Sequence, residues 1–334
     1  MVRREDMAAF LLRRLAGRLA LAVLAMSLAY ALAAAALDPR AGLEGRAPRP
    51  PEAVVDARLT ALNLNDREPL ADRYLTWTAG VVRGDFGRTW DGEAVNAELW
   101  RRLGVSLRLL APGAVLGSVV GVLLGAYAAT RRGRMADRLI CLGSYLLVAA
   151  PVFVLAVVLQ IAASLVNGVV GVQVFVWVGE STAGASHGVL GGLADRVRHL
   201  LLPTVTIALA QLGLYCRYQR AMMLDVLHAD YVRTARARGL RRRRALLRHG
   251  LRTALAPVTT YFVYAFGLLL LGGIYTEKIF GWHGAGEWLV DSIARGDVNA
   301  VAAIVCIAVC GVALAGLISD VLQGALDPRV RAAV

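Results

Sequence analysis

The sequence predicts an all-α integral membrane protein with six transmembrane helices and both termini in the cytoplasm. Three observations point there. The 334 residues are 57% apolar and only 18% charged, with a mean hydropathy of +0.57, whereas a soluble domain carries about 25% charge. Six charge-free runs are each long enough to cross a ~30 Å hydrocarbon layer. The 37 cations, of which Lys278 is the sole lysine, cluster between particular runs instead of spreading along the chain.

Taken in order, the first span is Leu19–Leu37, preceded by Arg13, Arg14 and Arg18. A cleavable signal peptide is the alternative, because those arginines resemble an n-region. Only Ala34–Ala36 offers a weak cleavage site, however, and the run is long enough to span. Residues 38–102 form the one sizeable extramembrane piece. It opens with Arg46-Ala47-Pro48-Arg49-Pro50-Pro51 and continues with helical periodicity through Val54, Val55, Leu59 and Leu62, then Leu70, Tyr74, Leu75 and Trp77. A piece this small is marginal as an independent domain and is expected to lie as a cap on the helices.

The second span is Leu109–Thr130. Leu139–Gly179 is too long for one span, and Val166-Asn167-Gly168-Val169-Val170-Gly171 reads as an exit, so the third helix is expected to end near Ser164. A glycine-rich, irregular loop should follow to residue 198. His199–Cys216 is the fourth span, Thr253–Thr276 the fifth and Val298–Ser319 the sixth. Trp282 and Trp288, in the 277–297 loop, would suit a membrane–water interface. Pro112, Pro151, Pro203 and Pro257 fall within or at the start of spans; Pro203 and Pro257 best fit the first turn of a helix. The resulting organisation is 1–37 as N-terminus and first helix, 38–102 as cap, 103–323 as core and 324–334 as tail.

Orientation follows from the arginines, because cationic loops resist translocation. With the N-terminus inside, residues 1–18 carry net +3, 131–138 net +3 and the tail from Asp320 zero. Residues 217–252 hold eleven Arg against Asp225 and Asp230, net +9. The outer segments are neutral or slightly acidic, and Arg108 sits near the outer end of the second span.

These features exclude a disordered chain, a disulfide scaffold and a freely soluble enzyme. A Walker A loop is excluded too, because it needs Gly-Lys-Ser/Thr and Lys278 lies in Thr276-Glu277-Lys278-Ile279. No acidic residue falls within a span, which argues against an ion-coupled transporter and against intramembrane acid–base catalysis. Cys141, Cys216, Cys306 and Cys310 lie in hydrophobic helices without metal-type spacing and read as apolar filler. Gly184-Ala185-Ser186-His187-Gly188 lacks the strand–turn–helix setting of a nucleophile elbow, and Asp85-Phe86-Gly87 lacks every companion kinase motif. No catalytic or metal site is expected. Ser118, Ser144, Gln160 and Gln211 are polar positions that could line a path through the membrane; hydrogen bonding between helices explains them equally well.

The segment after the fourth span is the most informative. Leu224 to Leu240 reads as a helix ended by Gly239, at the position where a left-handed residue belongs; Arg241–Arg244 then opens a second, basic amphipathic helix. The result is a helix–glycine–helix elbow in the cytoplasm. It could be a DNA-binding helix-turn-helix, or charge resting on lipid headgroups. The third reading is an element that docks into a soluble partner, with Ala235, Ala237 and Gly239 keeping the corner slim.

The run Asp230-Tyr231-Val232-Arg233-Thr234-Ala235-Arg236-Ala237-Arg238-Gly239-Leu240, with Leu247-Arg248-His249 and Pro257, resembles the permease signature of binding-protein-dependent ABC importers, most of all the first permease of the oligopeptide/dipeptide type. Four further matches follow the family's order: Arg83-Gly84-Asp85-Phe86-Gly87, His199-Leu200-Leu201-Leu202-Pro203, Glu277 to Gly286, and Leu326-Asp327-Pro328-Arg329. Arg233-Thr234-Ala235 stands where the family's Glu-Ala-Ala gives the loop its name, and His283 replaces the usual proline. The proline-rich insertion near 46–51 also departs from the simplest members.

The resemblance implies a type I ABC importer permease fold in a bacterial cytoplasmic membrane, with ATPase-coupling residues Asp230, Tyr231, Ala235, Arg236, Ala237, Arg238, Gly239 and Leu240. Implied partners are a homologous second permease, two ATPase subunits or domains, an extracytoplasmic binding (lipo)protein and membrane lipid, with no nucleic acid. The chain itself would hold no cofactor and would not be an enzyme, ATP and Mg belonging to partner subunits. Peptides are the expected solute. Nickel, glutathione or a haem-like ligand is the alternative within the family, and a membrane scaffold the alternative outside it.

Overall fold

The computed structural model describes residues 4–44, 50–182, 184, 188–227, 229–240, 246 and 250–326. Among them every regular element is a helix, and Arg88 and Ala94 form an isolated antiparallel bridge. Among the described residues five stretches are long and apolar enough to cross a membrane: Arg14–Ala36, Val95–Thr130, Val152–Val170, Leu190–Leu227 and Val298–Leu322. The elements are α1 (Arg4–Ala36), α2 (Ala41–Glu44), α3 (Glu52–Ala61), α4 (Leu70–Val82), α5 (Val95–Thr130), α6 (Met135–Ala149) and α7 (Val152–Val170). They continue with α8 (Val189–Leu227), α9 (Asp230–Ala237), α10 (Leu251–Gly272), α11 (Ile274–Phe280), α12 (Ala285–Ala294) and α13 (Val298–Leu326).

The expected third span is two helices. Ala150 and Pro151 are both extended (ψ 121° and 144°) and separate α6 from α7. Proline forces its predecessor out of the helical region, and its ring clashes with the carbonyl four residues back. The expected exit at 166–171 is itself helical. α7 runs to Val170 and stops at Gly171, whose φ of +74° closes the end with its N–H on the Asn167 carbonyl at 2.9 Å. An isolated glycine costs a helix only about 1 kcal/mol, and Gly168 does not end this one.

α8, with 39 residues, is longer than any bilayer requires, roughly 58 Å at 1.5 Å per residue. Residues 217–223, expected as loop, and 224–227, expected to open the elbow helix, are its continuation. Pro203 and Pro257 therefore lie inside α8 and α10, not in their first turns.

α5 and α8 form the centre of the bundle. Gly113, Gly117, Gly121 and Gly125 recur every fourth residue on α5 and face α8; a Cβ on Gly117 would lie 2.3 Å from the Ala208 carbonyl oxygen, and one on Gly125 2.3 Å from that of Cys216. Small residues at this spacing let two helix backbones touch. α1 and α13 pack antiparallel. Arg18 meets Asp320 at 2.6 Å at one end, and Gly296 lies against the Asp38 backbone at the other. Cys216 and Cys306 are buried, Cys141 is half-buried and Cys310 is exposed.

The piece before α5 folds onto α1 and α13. Val55, Leu59, Trp77 and Phe86 join Tyr30, Val298 and Val301 in one buried cluster, with the Tyr30 and Trp77 rings stacked at 4.9 Å. Arg40 ties it internally through Asp56 and Asp66, both at 2.7 Å. Buried Asp297 and Asn299 clamp it to α13: Asp297 accepts the Trp90 N–H at 3.0 Å, and the Asn299 amide donates to the Leu62 and Arg88 carbonyls at 2.9 Å. Trp282 and Trp288, expected at a membrane surface, are instead buried, because 277–297 folds back as α11 and α12 over the ends of α5 and α7.

Candidate functional site

The elbow begins where α8 ends. After Ala229 the chain turns into α9, where the Thr234 hydroxyl donates to the Asp230 carbonyl at 2.9 Å. Val232 and Ala235 face inward and pack with Ala129 of α5, Met223 and Val226 of α8, Leu246 and Ala254. The other face is open: Asp230, Tyr231, Arg233, Thr234, Ala237, Arg238 and Gly239 are exposed. α9 closes in a Schellman motif. Gly239 has φ +89°, and the Leu240 N–H reaches back to the Ala235 carbonyl at 3.2 Å, with both side chains against the same apolar cluster. Glycine takes this left-handed conformation at no steric cost.

Of the residues expected to meet an ATPase, Ala235 is turned into the bundle, so its small size serves packing within this chain, and Leu240 is half-buried. Asp230, Tyr231, Ala237, Arg238 and Gly239 form the outward face. The backbone of Arg236 belongs to α9, while its side chain lies outside the described residues, as do Arg241–Arg244 and Leu247-Arg248-His249.

Beside the elbow, α8 is tied to α6 by a two-pronged ion pair. Arg220 Nε and Nη2 meet the Asp137 carboxylate at 2.7 and 3.0 Å, and that carboxylate also accepts the Gly133 N–H at 2.9 Å. The guanidinium, opposed by burial, holds the Asp137 carboxyl down at about 2. A carboxylate depressed by folding adds stability above its ordinary value and loses it as pH falls toward the folded one. Asp137→Asn should therefore lower stability at neutral pH by on the order of 2 kcal/mol. The gap to the parent chain should close between pH 3.8 and about 2; thermal melts of both chains in detergent across that range test it.

Each of the four path candidates has contacts of its own. Ser118 and Ser144 donate to carbonyls of their own helices, Val115 at 2.9 Å and Cys141 at 2.8 Å. Gln160 donates to the Ile279 carbonyl at 3.2 Å and so ties α7 to α11. Gln211 is half-buried on α8, its Cβ facing Gly117. Two features of this region escaped the reading of the sequence. Gln219 is fully buried on α8, and among the described residues neither polar atom of its side chain has a hydrogen-bond partner. The glycine stripe was legible as a four-residue repeat, hidden among the 34 glycines of the chain.

At the opposite end of the bundle, fully buried Glu277 organises the Glu277–Gly286 segment. It accepts the Ser106 hydroxyl at 2.6 Å and the Glu287 N–H at 2.8 Å, while Ser106 accepts the Ala285 N–H at 2.8 Å. A Cβ at Gly284 would lie 2.5 Å from the Glu277 carboxyl, and one at Gly286 3.2 Å. The spacing of glutamate and glycines thus builds a carboxyl cradle. Burial pushes the Glu277 carboxyl up, so the stability it contributes is present below pH 4.5 and lost as pH rises through the folded value. Glu277→Gln should fold well and flatten that dependence. Glu277→Leu should lose about 3 kcal/mol, because the Ser106 hydroxyl and Glu287 N–H are left buried without an acceptor. Melting temperature against pH for both variants separates the two outcomes.

The Asp85-Phe86-Gly87 match is a structural turn: Phe86 is buried, its N–H donates to Asn96 at 2.9 Å, and Gly87 has φ +88°.

With elbow, glycine stripe and carboxyl cradle in place, the chain can be set beside known proteins. Residues 121–332 match the family of binding-protein-dependent transport system inner membrane components. The chain belongs to that family. The matched region opens at Gly121 in the stripe and takes in the elbow, the cradle and all of α13. This inner membrane component is 50% identical over 325 residues to the oligopeptide transport system permease protein OppB of Mycobacterium tuberculosis, covering 97% of this chain and 99% of that one. It is 34% identical over 269 residues to the oligopeptide transport system permease protein AppB of Bacillus subtilis (80% and 82% covered). It is 33% identical over 280 residues to the dipeptide transport system permease protein DppB of Escherichia coli (79% and 82% covered).

Proposed function

We propose that this chain is a permease subunit of an ATP-driven importer that moves oligopeptides or dipeptides across a bacterial cytoplasmic membrane. In this reading it has the type I permease fold with six spans and both termini cytoplasmic. α6 and α7 share the third crossing, and α10 provides the fifth. The chain pairs with a homologous second permease, two ATPase subunits or domains and an extracytoplasmic binding protein. It holds no cofactor and catalyses no reaction; ATP and Mg belong to the ATPases.

The elbow carries the reading. Its outer face offers Tyr231, Ala237, Arg238 and Gly239 for contact, while Val232 and Ala235 are seated on the ends of α5 and α8. Force applied to α9 by a closing ATPase would pass straight into those two helices. The glycine stripe leaves them no slack, so they would rock as one body between inward and outward access. ATP and the loaded binding protein would each bias that equilibrium by binding one state better. The six charge-free runs of the sequence support a path without fixed charge preference, suited to peptides of varied sequence, and 50% identity to an oligopeptide permease supports the solute class.

The test is purification of the chain from its native membrane, followed by reconstitution in vesicles. Co-purifying ATPases, ATP hydrolysis stimulated by a peptide-loaded binding protein, and accumulation of a labelled short peptide are the expected results. Transport of nickel or glutathione in preference to peptide would overturn the solute, and isolation without any ATPase would overturn the importer.

A further inference from the structure

We propose that a groove between α1, α10 and α13 is a binding site for one anionic phospholipid of the inner leaflet. The groove encloses about 380 Å³. Its walls are Ala22 and Ala25 of α1, Ala308 and Val312 of α13, and Tyr264 of α10, with Arg18 at one end. Alanines make it: Ala22 and Ala25, three residues apart on one face of α1, place small side chains where larger ones would close the gap. A cavity walled by alkyl groups gives water none of the two to four polar partners it needs. In a helix bundle surrounded by lipid, an acyl chain is the matching filler.

The end of the groove decides which lipid. Arg18 donates to Asp320 at 2.6 Å, to the Tyr264 hydroxyl at 3.3 Å and to the Ala313 carbonyl at 3.4 Å. Arg14, one turn earlier, bonds the same carboxylate with its side chain 42% exposed. Gly316 makes room for this arrangement, because a Cβ there would fall on the Arg18 guanidinium. Two guanidiniums thus share one carboxylate at the end of the groove, and the Arg14 side chain is partly exposed there. An alkyl slot ending in such a cluster fits one acyl chain with a phosphate-bearing, net negative headgroup. The site rests on the membrane orientation proposed above and not on transport, so it stands or falls independently of the solute.

The experiment uses the full-length chain extracted in mild detergent and then exchanged into an equimolar mixture of phosphatidylglycerol and phosphatidylcholine with identical acyl chains. Retained lipid is read by native mass spectrometry. The expected result is one retained phospholipid, with phosphatidylglycerol favoured about five-fold, the ratio one net charge near a headgroup supports. Ala25→Phe, which fills the slot and leaves the ion pairs alone, should abolish retention while the chain stays monodisperse. Arg14→Gln should keep the lipid and lose the headgroup preference, which keeps the test open if the phenylalanine variant fails to fold. Equal retention of both lipids by the parent chain, or undiminished retention by Ala25→Phe, would overturn the site. Loss of a co-purifying membrane partner from Ala25→Phe, with lipid retention unchanged, would show that the groove receives a protein instead.

Discussion

Gly117→Leu should remove the folded permease from the membrane. At Gly117 even a methyl group would sit 2.3 Å from the Ala208 carbonyl oxygen and 2.8 Å from the Ala208 Cα. Those are backbone atoms of a packed helix and cannot swing aside as a side chain can. Ordinary overpacking costs 1–3 kcal/mol because neighbours repack. Here α5 and α8 would have to separate along the whole stripe, since a Cβ at Gly113, Gly121 or Gly125 would also lie under 3.0 Å from α8, at 2.6, 2.8 and 2.3 Å. The cost should exceed ~4 kcal/mol, the range reached only by a named structural failure. Yield of monodisperse chain and its melting temperature are the measurements. Gly143→Leu is the control, because a Cβ there meets nothing within 4 Å and leucine is the better helix former. If Gly117→Leu accumulates and melts like the parent, the close α5–α8 contact is wrong.

Gly239→Val should assemble but transport poorly. Among the described residues nothing lies within 4 Å of a Cβ built at Gly239, so the penalty is conformational. At φ +89° an L-residue pays roughly 1–2 kcal/mol, and a β-branched one sits at the unfavourable end. That biases the corner by about tenfold or more toward another geometry, and the Leu240–Ala235 closure that anchors α9 to the bundle loosens with it. ATP hydrolysed per peptide imported should rise at least several-fold, with basal hydrolysis and subunit composition unchanged. Gly239→Asn should retain most coupling, because asparagine tolerates the left-handed region. Normal coupling in the valine variant would mean that the elbow is not the lever.

The elbow was legible because its determinants are local. A helix pattern, a glycine at C′ and a charge imbalance all lie within a dozen neighbouring residues. The carboxyl cradle was legible only as a run of letters. Its reason is Ser106, 171 positions away, and no periodicity links the two. Ala235 was read correctly as small and assigned to the outside, because a sequence does not say which face of an eight-residue helix meets its own bundle. The third span was misjudged for a different cause. Hydropathy scores composition, which is uniform across Ala150 and Pro151, whereas the break is steric. Trp282 and Trp288 were placed at the interface on residue type, and the fold-back of α11 and α12 buried them instead.

By itself the sequence determined what must be in the membrane and which loops carry the arginine, because hydrocarbon thickness and charge transfer act on each stretch separately. It also determined the corner at Gly239, which backbone sterics set residue by residue. Tertiary structure alone decided that four glycines of α5 bring two helices into backbone contact and that Asp297 and Asn299 fasten the cap to α13. The same holds for α9, which is seated on the ends of α5 and α8. Each of these joins residues far apart in the chain, and such contacts exist only once the helices have packed.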